Sequence, residues 1–355
     1  MKLVFISYFH GFGGAQKQIT IIANAMAKLG HQVTMISLCE NKECYEIDAR
    51  IKKIFIPDSK KGLFKLLDRY NGVKKVLKEE KPDITISFWL QPIYFSFFMS
   101  KKYYGKLVYS ERCDPSDKQY SGFLGLLRTL SFKKVDGFVF QTSAAKNYFS
   151  NDIQNKSIII PNPVFIKKND FKEIKENYNR IVSVGRLHKQ KNFSFLIETF
   201  NAIKDKHPDI TLNIYGEGEE KENLLNIIKK YDLSNRVFLM GASKNVHQAI
   251  IGSRLFVLSS NYEGMPNALL EAMALGIPCI STNWAPGGII DIIQNNKNGI
   301  IVEPNNIEEM SNAIELLLSN KKLSLSISKE ALETAKKFAP EQIFQEWEDF
   351  FKKLK

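Results

Sequence analysis

Short runs of β-branched and apolar residues alternate with longer amphipathic segments along nearly the whole chain, and this alternation most tightly limits its fold. In the first half the strand-like runs are Leu3 to Tyr8, Gln32 to Ser37, Ile84 to Phe88, Leu107 to Tyr109 and Gly137 to Gln141. Helical segments lie near Ala15 to Leu29 and Leu63 to Glu80. Strand and helix in alternation imply a parallel sheet covered on both faces. A boundary follows at Ile158-Ile159-Ile160-Pro161-Asn162-Pro163-Val164, and polar residues 167–179 lead into a second series. Its strands are expected at Ile181 to Val184, Thr211 to Tyr215, Val237 to Met240, Leu255 to Leu258, Pro278 to Ser281 and Gly299 to Val302, with helices near Phe193 to Lys206 and Lys221 to Tyr231. The expected architecture is therefore α/β, two doubly wound units, with Pro161 to Asn179 as the crossing. At the end of the chain Ile343, Trp347, Phe350 and Phe351 form an apolar helical stripe.

A length of 355 residues suits two domains, and ordinary apolar and charged fractions argue against disorder. The four cysteines, Cys39, Cys44, Cys113 and Cys279, show no pairing or ligand spacing, so no disulfide and no zinc are expected, and the compartment reads as reducing. The apolar start Leu3-Val4-Phe5-Ile6 is too short for a signal-peptide core and reads as a first strand, which points to the cytoplasm.

Charge is uneven. Residues 1–160 hold 25 Lys+Arg against 14 Asp+Glu, a net of +11, whereas residues 161–355 hold 25 against 24, a net of +1. Lys60, Lys61, Lys65, Arg69, Lys74, Lys75 and Lys78 cluster near one helix, with Lys101, Lys102, Lys133 and Lys134 in the same half. Such a face either rests on anionic lipid, each cation contributing on the order of 1 kcal/mol, or is an ordinary solvated surface. The aromatic segment 84–99 is interrupted by Gln91 and Pro92, too early to span a bilayer. A buried strand, a turn and a core helix are expected there in preference to an interfacial anchor.

Two stretches carry the chemistry. Arg254 to Ser260 reads as a buried strand, followed by Glu263-Gly264-Met265-Pro266-Asn267-Ala268-Leu269-Leu270-Glu271. This places two carboxylates eight residues apart around a helix start, with Pro266 expected in the first helical turn and Gly276 and Pro278 closing the helix. The free amides of that turn favour an anionic phosphate. Upstream, Ile181-Val182-Ser183-Val184-Gly185-Arg186-Leu187-His188-Lys189-Gln190-Lys191 is a strand ending in Gly, Arg and, five residues on, Lys. A guanidinium fork and a mobile ammonium on one turn fit a diphosphate and the negative charge of a departing nucleotide.

Together with the glycine-rich first turn Gly11-Phe12-Gly13-Gly14-Ala15, Tyr215-Gly216-Glu217-Gly218 and Val237-Phe238-Leu239-Met240-Gly241, these motifs make the chain resemble retaining glycosyltransferases of family 4, similar to enzymes of bacterial capsule and lipopolysaccharide assembly. The resemblance implies the GT-B fold: two Rossmann-like domains facing across a cleft, 1–160 for the acceptor and 161–339 for the nucleotide-sugar donor, with a C-terminal helix, 340–355, crossing back to the first. It implies Trp347, on that last helix, as a packing residue, and Glu263, Arg186 and Lys191 as the catalytic set, Glu263 at the transferred sugar and Glu271 at the ribose hydroxyls. Gly13, Gly14, Glu111, Arg112, Gly185, Gly216, Gly241, Gly264, Met265 and Asn267 are the remaining substrate- or nucleotide-binding positions. Many members carry a cleft histidine where Arg112 stands, and Glu111 with Arg112 either contacts sugar or phosphate or forms a structural ion pair. The loop Trp284-Ala285-Pro286-Gly287-Gly288 is similar to one near the donor sugar, or is a tight turn.

The implied activity is transfer of a hexose or N-acetylhexosamine from a nucleotide-diphosphate sugar, UDP-sugar first among them, to a growing glycan on a lipid carrier such as polyprenyl diphosphate. No cofactor, metal or nucleic acid is expected; His10, His31, His188, His207 and His247 have no ligand spacing. A location in the cytoplasm, with peripheral contact at the inner face of an anionic cell membrane, accompanies that reading. Three alternatives stay open. A sugar-nucleotide epimerase or phosphorylase shares the architecture. A nicotinamide-dependent oxidoreductase needs Gly or Ala where Gln16 stands, although Glu40 mimics its ribose-binding acid. A nucleotide-binding subunit without activity is the third.

Overall fold

The computed structural model describes residues 1–8, 14–39, 45–56, 62–113, 115, 122–165, 177–243, 245–284 and 287–355. The chain divides into two compact units, Met1–Pro163 with Glu341–Lys355, and Val164–Pro340.

Unit 1 runs β1 (Lys2–Ser7), α1 (Gly14–Lys28), β2 (Gln32–Ser37), β3 (Lys52–Phe55), α2 (Gly62–Glu80), β4 (Ile84–Ser87), α3 (Leu90–Phe97), α4 (Lys101–Tyr104), β5 (Lys106–Ser110), α5 (Gly122–Phe132), β6 (Gly137–Phe140), α6 (Ser143–Asn147), α7 (Asn151–Gln154) and β7 (Ser157–Ile159). All strands pair in parallel, in the order β3-β2-β1-β4-β5-β6-β7. The central strands β1 and β4 are buried on both faces, which is why they read as unbroken apolar runs. At one edge, β3 carries exposed Lys52 and Lys53, charges that blunt an open strand edge and that hide the strand from a hydrophobicity reading. At the other, β7 lies in the isoleucine run taken as the boundary, so strand pairing continues further than expected.

Unit 2 runs β8 (Asn177–Val184), α8 (Phe193–Ile203), β9 (Thr211–Tyr215), α9 (Lys221–Lys230), β10 (Val237–Gly241), α10 (Val246–Ile250), β11 (Ser253–Leu258), α11 (Asn267–Ala274), β12 (Cys279–Thr282), β13 (Ile300–Val302), α12 (Ile307–Ser319) and α13 (Lys321–Ala335). Its parallel order is β10-β9-β8-β11-β12-β13. Because β8 already begins at Asn177, the expected crossing is shorter than Pro161 to Asn179; residues 166–176 lie outside those described.

The last helix, α14 (Pro340–Leu354), belongs by its packing to unit 1. Ile343, Trp347, Phe350 and Phe351 are all buried and share a core with Leu3 and Phe5 of β1. Trp347 stacks on Phe88, ring centroids 6.1 Å apart. Gly137 of β6 makes room for this helix: a Cβ there would come within 2.7 Å of the Phe350 ring.

The segment 84–99 is the strand, turn and helix expected of it, with Ile93 and Phe95 in the core. Its end differs, since Phe97 and Phe98 are exposed. No described helix is long and apolar enough to cross a membrane. Among the described residues no disulfide joins Cys39, Cys113 or Cys279; Cys44 is outside the described residues.

Candidate functional site

In unit 2 the strand order reverses between β8 and β11, the place where an open α/β sheet receives its ligand beyond the strand ends. Three glycines line the neighbouring ends of β8, β9 and β10. Gly185 donates its N–H to the Tyr215 carbonyl at 2.9 Å, and Gly216 donates to the Gly241 carbonyl at 2.8 Å. Gly216 has φ +147°, and a Cβ there would lie 1.8 Å from the Gly185 oxygen, so no side chain fits. At Gly185 the space a Cβ would fill belongs to the Lys191 chain, whose Cε would lie 3.0 Å away. Glycine at 185 thus lets Lys191 lie across the end of β8.

Lys191 ends a short 3-10 turn, Lys189–Lys191, capped by His188, whose Nδ1 accepts from the Gln190 N–H at 3.1 Å. Its Nζ donates to Glu263 Oε1 at 2.5 Å, and both side chains are largely buried, 17% and 7% exposed. Ser260 Oγ donates to the same oxygen at 2.6 Å. Gln190 Nε2 donates to the Tyr262 carbonyl at 2.9 Å and reaches Glu263 Oε2 at only 3.4 Å. The two loops are stitched together by Ser259 Oγ to the Lys191 carbonyl, 2.8 Å, and Asn261 N–H to the Gln190 carbonyl, 2.8 Å. Ser260, the last residue of the run read as a strand, joins the site through its hydroxyl three residues before Glu263. Arg186, by contrast, is exposed and among the described residues makes no hydrogen bond or ion pair.

Glu263 sits in the loop before α11. The helix opens at Asn267, so Pro266 precedes the first turn instead of standing in it; its ψ of 99° is extended. Met265 is buried in the core beneath. Gly264 is half-buried beside it. Glu271, one turn into α11, faces His247, with Nε2 3.9 Å from Oε1. Of the loop after β12, Trp284 is fully buried and Gly287 adopts φ +91°, while Ala285 and Pro286 lie outside the described residues.

Unit 1 reverses its strand order between β1 and β4. Beyond those strands lies a cavity of about 280 Å³, its wall formed in part by Tyr8, Trp89, Gln91, Tyr94, Glu111 and Arg112. Gly14 opens α1 and is exposed; Gly13 and Glu40 lie outside the described residues. Glu111 is buried. Its Oε1 accepts the backbone N–H groups of Arg112 (3.0 Å) and Cys113 (3.1 Å), and Oε2 accepts the Tyr109 hydroxyl (2.9 Å). Burial pushes its carboxyl above the usual carboxylate range, and these hydrogen bonds pull the other way.

The Arg112 guanidinium does not bond the Glu111 carboxylate. It donates from Nη1 to Asn162 Oδ1 at 2.8 Å and lies over the Phe88 ring at 4.1 Å, with Trp347 at 5.8 Å. The residue is half-buried as a whole, yet Nε and Nη2 are shielded from water and unpaired. Burial lowers the guanidinium to about 9, partly offset by Glu111, so it stays charged at neutral pH. The side-chain ion pair considered from sequence is therefore absent, replaced by aromatic stacking.

The described histidines sit apart. His31 contacts the N-terminal amine and Glu348, and His207 offers its carbonyl to Arg236. Among the described residues no group of three or more His, Cys, Asp or Glu could hold a metal ion.

Residues 165–334 match the family Glycosyl transferases group 1, and residues 12–168 match Glycosyltransferase Family 4. An uncharacterized glycosyltransferase of Haemophilus influenzae is 30% identical over 97% of each chain. The amylovoran biosynthesis glycosyltransferase AmsD of Erwinia amylovora is 25% identical over 98% of each. An α-1,4-N-acetyl-D-galactosaminyltransferase of Campylobacter jejuni, named for a diphosphoundecaprenol-linked substrate, is 24% identical over 98% of this chain and 97% of that one. Among solved structures, HepE of Anabaena in complex with UDP covers 99% of this chain and 100% of its own with a TM-score of 0.82 at 17% identity. The likeness shows the fold, two Rossmann-like α/β domains of the GT-B kind.

Proposed function

From the premise that the chain belongs to the glycosyltransferases of group 1 and family 4, we propose that it moves a hexose or N-acetylhexosamine from a UDP-sugar, with retention at the anomeric carbon, to a growing surface polysaccharide carried on polyprenyl diphosphate. The observation that carries the donor half is the buried Lys191–Glu263 pair beside the glycine-walled strand ends of unit 2. UDP bound to HepE supports the base, and the Campylobacter transferase's named substrate supports the lipid carrier.

In this reading unit 2 holds the donor and unit 1 the acceptor. The glycine-walled strand ends admit the diphosphate close to the backbone, and Arg186 and Lys191 neutralise it as it leaves. Glu263 meets the transferred sugar and Glu271 the ribose. The acceptor hydroxyl attacks on the face the nucleotide vacates, and its proton passes to the departing diphosphate oxygen. The new glycosidic bond thus forms as the bond to UDP breaks, without a metal. Chemistry then rests on positioning and charge stabilisation. The acceptor's carrier brings the protein to the inner face of a membrane.

Incubation with a panel of UDP-sugars tests this: slow release of UDP from one of them is expected, with an α-configured product from an α-linked donor once an acceptor is supplied. Absence of UDP release from every hexose and N-acetylhexosamine donor would defeat the proposal.

A further inference from the structure

Arg112 forms part of the unit 1 cavity wall with some of its bonding capacity unmet. Its guanidinium lies over the Phe88 ring at 4.1 Å, and Nη1 donates to Asn162 Oδ1 at 2.8 Å. Gln141 Nε2 donates to that same oxygen at 2.7 Å, so the amide that receives Nη1 is itself held. What remains is the edge formed by Nε and Nη2, whose N–H groups are buried and have no hydrogen-bond partner among the described residues. Buried donors of this kind are rare, and on a charged group they are costly.

The same edge is used elsewhere in this chain. Arg50 donates from Nε to Asp48 Oδ1 at 2.9 Å and from Nη2 to Asp48 Oδ2 at 2.7 Å, two parallel bonds to one planar carboxylate. Arg112 carries the identical donor pair. Because Phe88 covers one face and Asn162 engages Nη1, the partner that fits is a planar anion lying in the plane of the guanidinium. Water does not reach the two N–H groups, so an anion arriving there gains their bonds without stripping them of hydration.

The rest of the wall suits a sugar. Tyr8, Trp89 and Tyr94 line a space of about 280 Å³ with aromatic surface, and Gln91 adds a polar group. Among the lining residues Glu111 is the acid, and its oxygens already accept from the Arg112 and Cys113 backbone and from the Tyr109 hydroxyl. Behind the wall the buried Arg69 guanidinium donates from Nη1 to Gln91 Oε1 at 3.0 Å and to the Tyr8 hydroxyl at 3.3 Å. Two guanidinium groups against one engaged carboxylate favour an anionic guest.

We propose that the unit 1 cavity receives a hexuronic-acid residue of the acceptor glycan, its carboxylate gripped by Nε and Nη2 of Arg112 and its ring resting among Tyr8, Trp89 and Tyr94. The side chains over the fork part as the carboxylate enters. Arg112 is then the residue that selects an acidic sugar. The inference rests on the reading that unit 1 takes the acceptor and names the class of sugar it takes, but it is measured by binding alone, without donor or turnover.

Binding to the full chain is followed by ligand-observed NMR for methyl glucuronide and methyl galacturonide, each beside its neutral glycoside and its uncharged amide, and for glucose 6-phosphate. One uronide is expected to bind roughly tenfold or more tighter than its glycoside and its amide, and tighter than the sugar phosphate. Arg112→Gln should abolish that preference, and Arg112→Lys, which keeps the charge but not the fork, should retain only part of it. A merely structural role would weaken charged and neutral sugars alike and leave their ratio unchanged. The comparison of uronide with amide is made on the wild type, so it stands whether or not either variant folds. Equal binding of uronide and amide, tighter binding of glucose 6-phosphate, no binding of either uronide, or a preference that survives in Arg112→Gln overturns the inference. UDP release without uronide binding sinks this inference alone, whereas uronide binding without UDP release upholds the site and sinks the transferase reading.

Discussion

Lys191 Nζ sits 2.5 Å from Glu263 Oε1, so the ammonium proposed to meet the donor diphosphate is held by the carboxylate proposed to meet the donor sugar. Ser260 Oγ fixes the same oxygen at 2.6 Å, which leaves Oε2, with only the 3.4 Å contact from Gln190, as the less engaged atom of the carboxylate. The pair presets the carboxylate's orientation before any ligand arrives. Arg186 has no such engagement.

This difference separates two substitutions that would otherwise look alike. Arg186→Ala removes an exposed cation that has no partner among the described residues, so the denaturation midpoint should stay within about 0.5 kcal/mol of wild type while turnover falls roughly a hundredfold. Lys191→Ala leaves a buried carboxylate without its counter-charge, so a similar loss of turnover should come with about 3 kcal/mol of lost stability. Urea unfolding beside UDP-release kinetics reads both. Equal stability loss in the two variants would contradict the assigned difference.

Gly216 gives a steric test of the donor floor. A methyl group there would lie 1.8 Å from the Gly185 oxygen at a backbone φ of +147°, so Gly216→Ala must move the ends of β8 and β9 apart. A cost of more than about 3 kcal/mol is expected, together with loss of UDP binding. At Gly287, φ +91° with nothing within 4 Å, alanine should cost only about 1 kcal/mol from backbone strain. Unfolding midpoints and titration with UDP compare the two, and equal costs would show that crowding at Gly216 is relieved by some other movement.

Glu111 predicts a pH dependence. Burial is the largest influence on its carboxyl and raises it above the unfolded value near 4.5, so the folded chain holds this proton more tightly than the unfolded chain. The associated stability is fully present below about pH 4.5 and is lost as pH rises through the folded value. Glu111→Gln keeps an oxygen for the two backbone N–H groups and removes the titration. The variant's urea midpoint should therefore gain on the wild type's as pH climbs from 4.5 toward 8, whereas a gap that stays constant over this range would refute the assignment.

How much of this was legible in the sequence depends on burial. Val4 and Ile86 lie in strands covered on both faces, and their apolar runs announce them. Lys52 and Lys53 are exposed on an edge strand, where alternation vanishes and only tertiary pairing with β2 makes the strand. The motifs placed Lys191 and Glu263 at the ends of β8 and β11, but a contact across 72 residues of chain follows from strand order, which spacing alone does not encode. The same holds for Arg112. Its sequence neighbour Glu111 suggested an ion pair, yet the guanidinium turns to Phe88, Asn162 and Trp347, brought to it by β4, the end of the sheet and the last helix.

Trp347 is therefore the residue through which the end of the chain supports the unit 1 cavity. It is fully buried, stacks on Phe88 and lies 5.8 Å from the Arg112 guanidinium. Trp347→Ala removes a large side chain from a core that cannot close over the space, at an expected cost of about 3 to 5 kcal/mol. Trp347→Phe keeps a ring against Phe88 and should cost less than half as much. Because Arg112 rests on the same stack, the alanine variant should also loosen the loop 111–113, read as faster labelling of the exposed Cys113 under native conditions. A Trp347→Ala protein with wild-type stability and an unchanged Cys113 labelling rate would show that the last helix does not brace this wall.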